Sequence, residues 1–464
     1  MDVISYRGPG VAGGVSSAIG NAWKNQSIRL SKWWYINNSA LEAISAVGAE
    51  NSKFISELPN SLIGGHYRYC NEFIWPVMHD LPQYAVYSAE DQEQFNAFNK
   101  VVAKQIDAQS PAQQKFFIQD YQLSLNSKLL ALEGHRAVMF WHVPWPKYVP
   151  AQYSVPICEL VRGILGASVL GFHTKEYTEN FIDFVNMHLP EYRVNRTAMT
   201  VELRDVNELR SSRRQGMCSV RNSSTRNCTQ LIVRPLGVDL SYWAESKSTG
   251  LKMDVKTEWQ ELANSTFVLS VDRVDYTKSV LDRFQIINSF FEEHPHWIGT
   301  LSFVQVCGRV RAGLAAFDHY WNDCRSLAEE INTKRQQDGW QPIKWIDRTL
   351  SSEELAYLYT NANSMLVNPI RDGLNLTAKE FVACQGNQAG VLLLSSGAGA
   401  FHELGEFTLR VSPNDHASTI DSLARSLTMP LKERQERMLA MKTSLAENQL
   451  LDWWSTFSTM ETNV

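Results

Sequence analysis

Apolar residues along the chain follow two rhythms. Short unbroken apolar runs read as buried strands, and between them lie stretches with the three-to-four-residue spacing of helices that bury one face. In the first half the runs are DVISY (2–6), AVMFWHV (137–143), SVLGFH (168–173) and LIVRPLGV (231–238), with helical spacing over 156–166 and 177–188. In the second half they are FVLSVDRV (267–274), LSFVQVC (301–307), SMLVN (364–368), GVLLLS (390–395) and TLRVS (408–412). Helices near 281–292, 313–334, 352–361 and 375–384 separate these, and aromatic-rich helices follow through LLDWWSTF (450–457). The alternation predicts an α/β protein with parallel sheets.

A chain of 464 residues has room for two or three domains. The polar stretch AESKSTGLKMDVKTEWQ (244–260) separates the alternating halves, so one domain is expected over 1–243 and a second from 244 onward. Two doubly wound domains facing a central cleft would hold ligands at the carboxyl ends of their strands. The basic, apolar-poor segment 209–228 reads first as a solvated loop and second as a loop that closes over bound ligand.

Composition narrows the partners. A net charge of −5 and a pI near 6.2 argue against nucleic acid as the main partner. No apolar run approaches the roughly 18 residues of a membrane span, and the opening MDVISYRGPG lacks a secretory apolar core. The seven cysteines form no C-x-x-C pair, which fits free thiols in a reducing cytoplasm, the expected location. Small-molecule substrates are the expected partners, and a homo-oligomer stays open.

Candidate chemistry sits just after the strands. RDGLNLTAKE (371–380) carries an acid and a glycine where a strand hands over to a helix, then a second acid within that helix. RGPGVAGG (7–14) offers glycines at 8, 10, 13 and 14 ahead of a helix start able to take a phosphate, and Arg7 suits a phosphorylated ligand; a plain glycine-rich turn is the alternative. Gly8, Gly10 and Gly13 do fall at G-x-G-x-x-G spacing, but no strand with an acidic end follows about 20 residues on, so a nicotinamide enzyme gains little support. In SVDRVDYTKS (270–279), Arg273 and Lys278 are expected in a loop beyond a strand, answered by a diphosphate or by Asp272 or Asp275. His142 ends a strand in MFWHVPWPK, a position more often structural than catalytic; Asp120 follows another in FIQDYQ, and Trp75 precedes a proline in YCNEFIWPVMHD. No H-E-x-x-H, Cys/His ligand spacing or D-x-D after a strand is present, so no metal or other cofactor is expected, and cations with helix dipoles would neutralise phosphates.

In order, the Arg7 glycine loop, IWP, QDYQ, HVPWP, LGFHT, RPLGVD, DRVDYTK, RDGLNLTAKE and GAGA…EL (397–404) resemble the trehalose-6-phosphate synthase family of retaining glycosyltransferases across nearly the whole chain. The resemblance implies the GT-B fold, two Rossmann-like domains with a final helix (446–464) crossing back from a second domain over 244–445. It also implies a nucleotide-glucose co-substrate (ADP- or UDP-glucose), a phosphorylated acceptor and no metal. On that pattern Arg273 and Lys278 hold the leaving diphosphate. Asp372 meets the glucose hydroxyls, the backbone of Gly373, Leu374, Asn375 and Leu376 meets sugar or phosphate, and Glu380 takes the ribose. Gly14 would lie near the diphosphate and His142 near the glucose, with Asp120 among the reacting groups. The acceptor would meet Arg7, His66, Tyr67, Trp75, Asp120 and Arg311.

Departures fall mostly on the acceptor side. QDYQ replaces a pattern with His on both sides of DY, Ser279 stands where a glycine is usual, SSGAG replaces a run with a bulky aromatic, and an expected tyrosine falls on His66 beside Tyr67. The long segment from Thr174 to Arg234, the His79–Pro82 pattern, YTENF (177–181) and RVDY resemble the glucosylglycerol-phosphate synthase branch, whereas Gly13–Gly14 and Arg311 resemble the trehalose branch. The expectation is glucosyl transfer to glycerol 3-phosphate in compatible-solute synthesis. Transfer to glucose 6-phosphate is the alternative, followed by a non-catalytic sugar-phosphate sensor or pseudo-glycosyltransferase of the same fold.

Overall fold

The computed structural model describes residues 1–9, 14–36, 51–55, 58–204, 228–251, 259–260, 262, 264–337, 339–387 and 389–460. The chain forms two compact units, Met1–Pro235 with Trp453–Val464, and Leu236–Asp452. The segment 209–228 falls outside the described residues except for Cys228, as do Gly10 and Gly13.

The first unit is built on β1 (Asp2–Ser5), β2 (Trp33–Tyr35), β3 (Ser52–Phe54), β4 (Lys115–Gln119), β5 (Arg136–Trp141), β6 (Val169–Phe172), β7 (Tyr192–Asn195), β8 (Thr200–Leu203) and β9 (Cys228–Val233). Their order in the sheet is β3-β2-β1-β4-β5-β6-β9-β8-β7. All pairings are parallel except β7 with β8 and β8 with β9. The run from β3 to β6 is the doubly wound order in which the switch lies between β1 and β4. Strands β1 and β6 are buried along their whole length, as a parallel sheet covered on both faces requires.

One seat in this unit is filled from far along the chain. In the helix Leu450–Thr459, Trp453 and Phe457 are fully buried. Phe457 stacks on Phe117 with ring centres 5.4 Å apart, and Trp453 meets Phe140 edge-on at 5.1 Å. Gly171 of β6 leaves the space, since a Cβ there would lie 2.6 Å from Phe457 Cζ. Lys115 Nζ donates to the carbonyls of Ser458 (3.1 Å) and Met460 (2.7 Å), capping the end of that helix with a cation.

The second unit repeats the plan with β10 (Thr266–Val274), β11 (Leu301–Arg309), β12 (Ile343–Ile346), β13 (Ser364–Val367), β14 (Val391–Ser395) and β15 (Leu409–Val411), in the order β12-β11-β10-β13-β14-β15. Every pair is parallel. Its core joins Val268, Phe303, Leu366 and Leu393 from the strands to Phe284, Ile287 and Phe290 of the helix Val280–Glu293. The division after Pro235 falls ahead of the polar stretch expected to separate the halves. The start of that stretch is part of the helix Leu240–Thr249, which Asp239 caps and whose Trp243 and Ser246 are buried. Polar composition hid it because only one narrow face is buried. Among the described residues no helix is long and apolar enough to cross a membrane.

The second unit carries one local strain. Ser279 starts the helix Val280–Glu293 in the left-handed region, at φ 55° and ψ 41°. It is fully buried, and its hydroxyl has no hydrogen-bond partner among the described residues. Glycine takes that backbone without strain, so Ser279→Gly is expected to stabilise the fold. Relief of the left-handed conformation and of the orphaned hydroxyl should exceed the added unfolded-chain entropy by about 1 kcal/mol. A thermal melt checks it; an unchanged or lower midpoint contradicts it.

Candidate active site

In the second unit the loop after β13 enters the helix Leu376–Cys384 through Asn375, whose left-handed backbone (φ 74°) and side chain both serve as the N-cap. Asn375 Oδ1 accepts from Ala378 N–H at 3.1 Å and Thr377 Oγ1–H at 2.8 Å, and its Nδ2 donates to Asp372 Oδ2 at 3.0 Å. Asp372 is therefore aimed by the cap that starts the helix. The first N–H groups of that helix have no partner within it and carry the positive end of its dipole.

A second glycine-rich segment braces this loop. Asp372 N–H donates to Gly397 O at 2.8 Å, Gly399 N–H to Asp372 O at 3.1 Å and Ala400 N–H to Leu374 O at 2.7 Å. A Cβ on Gly397 would lie 2.2 Å from Ile370 O, and one on Gly399 2.1 Å from Gly373 O. Neither position admits a side chain while the backbones keep this approach.

The cations stand opposite. Lys278 ends a short 3-10 turn, Tyr276–Lys278, that Asp275 caps, and its Nζ forms a buried ion pair with Asp372 Oδ2. Arg273 lies within β10 as its penultimate residue, facing Gly308 of β11 in register, rather than in a loop beyond the strand. The parallel ladder with β11 extends through Val274 and carries the strand past the end of its apolar run.

The expected acid partners are also distributed differently. Asp272 pairs with Arg283 (Nη2–Oδ2, 2.7 Å), Asp275 with Arg311 (Nη1–Oδ2, 2.6 Å), and Asp372 with Lys278. Arg283 is buried and holds four acceptors. Its Nε donates to Asn368 Oδ1 (2.7 Å), Nη1 to Gln305 Oε1 (2.8 Å), and Nη2 to Asp272 and to the Lys278 carbonyl (3.3 Å). Burial raises the Asp272 carboxyl above the usual carboxylate range, with Arg283 opposing. Arg311, with positive φ, belongs to the second unit and lies 4.8 Å from the Phe317 ring.

Glu380, one turn further along the helix, accepts from Tyr359 Oη–H at 2.9 Å. Burial pushes its carboxyl up to about 7, and the Tyr359 hydrogen bond opposes that only in part.

In the first unit Asp120 follows β4 with φ 68° and ψ 175°, a region nearly reserved for glycine. Its Oδ1 accepts from His142 N–H at 3.2 Å. Trp75 begins a short helix directly after a π-helical turn, Tyr69–Ile74, and packs against His79 and Tyr121. Arg7 is exposed at the end of β1, and Gly14 is the first residue of the helix Gly14–Lys24. Tyr67 is half-buried on the helix Asn60–Arg68.

His66 is fully buried on that same helix, stacked on Phe98 with ring centres 3.8 Å apart and flanked by Phe95 and Tyr6. Nε2 lies 2.8 Å from Gln122 O, and burial pushes the ring down to about 4. Its neutral ring is a core group. Helical periodicity turns position 66, an expected acceptor contact, inward.

The glycosyltransferase family 20 profile matches residues 13–461. The chain belongs to this family. A bifunctional trehalose-6-phosphate synthase/phosphatase from Thermoproteus tenax is 30% identical over 428 residues, 91% of this chain but 54% of that protein; the chain thus spans about half of that relative. A trehalose-6-phosphate synthase from Sinorhizobium fredii is 27% identical over 416 residues, 87% of this chain and 83% of the relative. Among solved structures, an α,α-trehalose-phosphate synthase (UDP-forming) from Burkholderia xenovorans in complex with glucose-6-phosphate is 25% identical, with TM-score 0.84 over 98% of each chain. The chain is a family 20 glycosyltransferase with the GT-B fold, built from two parallel-sheet α/β units.

Proposed function

We propose that the protein transfers glucose from UDP-glucose to glucose 6-phosphate with retention, giving trehalose 6-phosphate. The observation that carries the donor half is the buried Lys278–Asp372 pair at the capped helix start. A cation for a leaving phosphate and an acid for sugar hydroxyls are held together before any ligand arrives. The relatives named above are trehalose-phosphate synthases, which favours glucose 6-phosphate over the glycerol 3-phosphate expected from sequence features around 174–234.

On this reading the bond from glucose C1 to the diphosphate oxygen breaks and a bond from C1 to the O1 of glucose 6-phosphate forms on the same face. The O1 proton passes to the departing UDP phosphate. Lys278 and Arg273 stabilise the charge that grows on the diphosphate, with the helix start behind Asn375 adding its dipole. Lys278 must leave Asp372 to do so, which frees the carboxylate for the donor hydroxyls. Glu380 takes the ribose hydroxyls. Asp120, Trp75 and Arg7 of the first unit serve the acceptor.

A donor-by-acceptor matrix tests this, pairing UDP- or ADP-glucose with glucose 6-phosphate or glycerol 3-phosphate. Donor consumption with glycerol 3-phosphate alone restores the glucosylglycerol reading, and consumption with neither favours a sugar-phosphate sensor.

Glu380 adds a pH signature. Ribose hydroxyls donating to the carboxylate favour its ionised form, so donor binding must expel the proton held below about pH 7. UDP-glucose affinity is expected to be about tenfold weaker at pH 6 than at pH 8. Glu380→Gln should flatten the profile. An affinity that does not vary with pH in the unsubstituted protein excludes the ribose contact.

A further inference from the structure

Three side chains at the carboxyl ends of adjacent strands close a hydrogen-bonded chain in the first unit. Gln119 is the last residue of β4, His142 follows the last residue of β5, and His173 follows the last residue of β6. His142 Nε2 lies 2.8 Å from Gln119 Oε1, and its Nδ1 lies 3.3 Å from His173 Nε2. All three residues are buried.

Burial holds the His142 ring neutral, pushing it down to about 3. With the Gln119 oxygen facing it, a neutral ring donates from Nε2 and accepts at Nδ1 from His173 Nε2–H. Both ring nitrogens are then occupied within the protein. What His142 extends beyond the chain is its backbone N–H, donated to Asp120 Oδ1. Asp120 needs that support, because its glycine-like backbone is strained and persists only where its surroundings fix it. Its own N–H donates to Phe140 O at 2.9 Å, tying it to the same strand that leads into His142.

We propose that His173 is a positioning residue for the acceptor. Through Nε2 it fixes the His142 ring against Gln119, and the fixed His142 backbone orients the Asp120 carboxylate. The inference rests on the reading of Asp120 as an acceptor contact. It also accounts for the glutamine at 119, which supplies the oxygen that closes the chain.

The test compares His173→Leu, His173→Asn and His173→Gln. Gln keeps an N–H at the place of Nε2, whereas Asn carries its amide at the place of Nδ1. For whichever acceptor the unsubstituted protein turns over, Leu and Asn variants are expected to raise acceptor KM about five- to tenfold, the worth of one net hydrogen bond. The UDP-glucose KM should stay within about twofold, and Gln should restore the acceptor KM to near the original value. An unchanged acceptor KM, donor and acceptor KM rising together, or a Gln variant no better than Leu would overturn the proposal. Use of glycerol 3-phosphate would refute the proposed acceptor while leaving this comparison intact. The Asn variant carries the test if Leu does not fold.

Discussion

Lys278→Ala is expected to lower kcat for glucosyl transfer by about 10²–10³, with a much smaller change in donor KM. Lys278 is nearly buried, and its ammonium pairs with the Asp372 carboxylate. In the resting protein that pair is mutually satisfied. With donor bound, the ammonium serves the diphosphate, where charge grows as the C1–O bond breaks, so its loss falls mainly on the transition state. Alanine also strips Asp372 of its cation and leaves Asn375 Nδ2 as a neutral donor, a change that costs stability by several kcal/mol when a buried pair is broken from one side. Circular dichroism and a melt at the assay temperature separate the two effects. A folded variant with kcat within about threefold of the original would remove Lys278 from the leaving-group role.

Gly399→Ala should be nearly as damaging, without altering any polar side chain. The added methyl would lie 2.1 Å from the Gly373 carbonyl oxygen and 3.0 Å from Leu374 Cα, both backbone atoms that no rotamer change can move aside. Either the GAGA segment or the 372–374 loop must retreat, and the hydrogen bonds Gly399 N–H to Asp372 O and Ala400 N–H to Leu374 O hold both in place. Overpacking of this kind costs about 1–3 kcal/mol. A displacement near 1 Å of Asp372 costs about 10²-fold in activity. The expected result is a lower melting midpoint with kcat/KM reduced about 10²-fold; unaltered kcat/KM would mean that the two segments do not position the acid.

The second unit was the more legible half because nearly every strand is a continuous apolar run between helices of ordinary length. FVLSVDRV, SMLVN and GVLLLS lie on β10, β13 and β14 to within a residue or so. The shorter strands escaped. β2 is three aromatic residues, and β7 and β8 alternate polar with apolar at an antiparallel sheet margin, so neither shows an apolar run. Arg283 could have been found. It falls on the apolar stripe of Val280, Phe284 and Ile287, where a charge has to be answered from within the core. Acid–base pairing was illegible for a different reason. Asp272, Asp275 and Asp372 exchange partners among Arg283, Arg311 and Lys278 across separate strands and loops, and no spacing along the chain encodes which acid meets which base.

The helix that seats Trp453 and Phe457 against Phe117 and Phe140 has a consequence for synthesis. A ribosome delivers β1 to β9 first and must then make all of Leu236–Asp452 before those two aromatic rings exist. Until then Phe117, Phe140 and Gly171 present an uncovered apolar notch on the earlier-made sheet. The domain begun first is therefore finished last. During translation its nascent surface has the character of a chaperone substrate, and the arrival of Trp453 and Phe457, the first unit's own late segment, closes it.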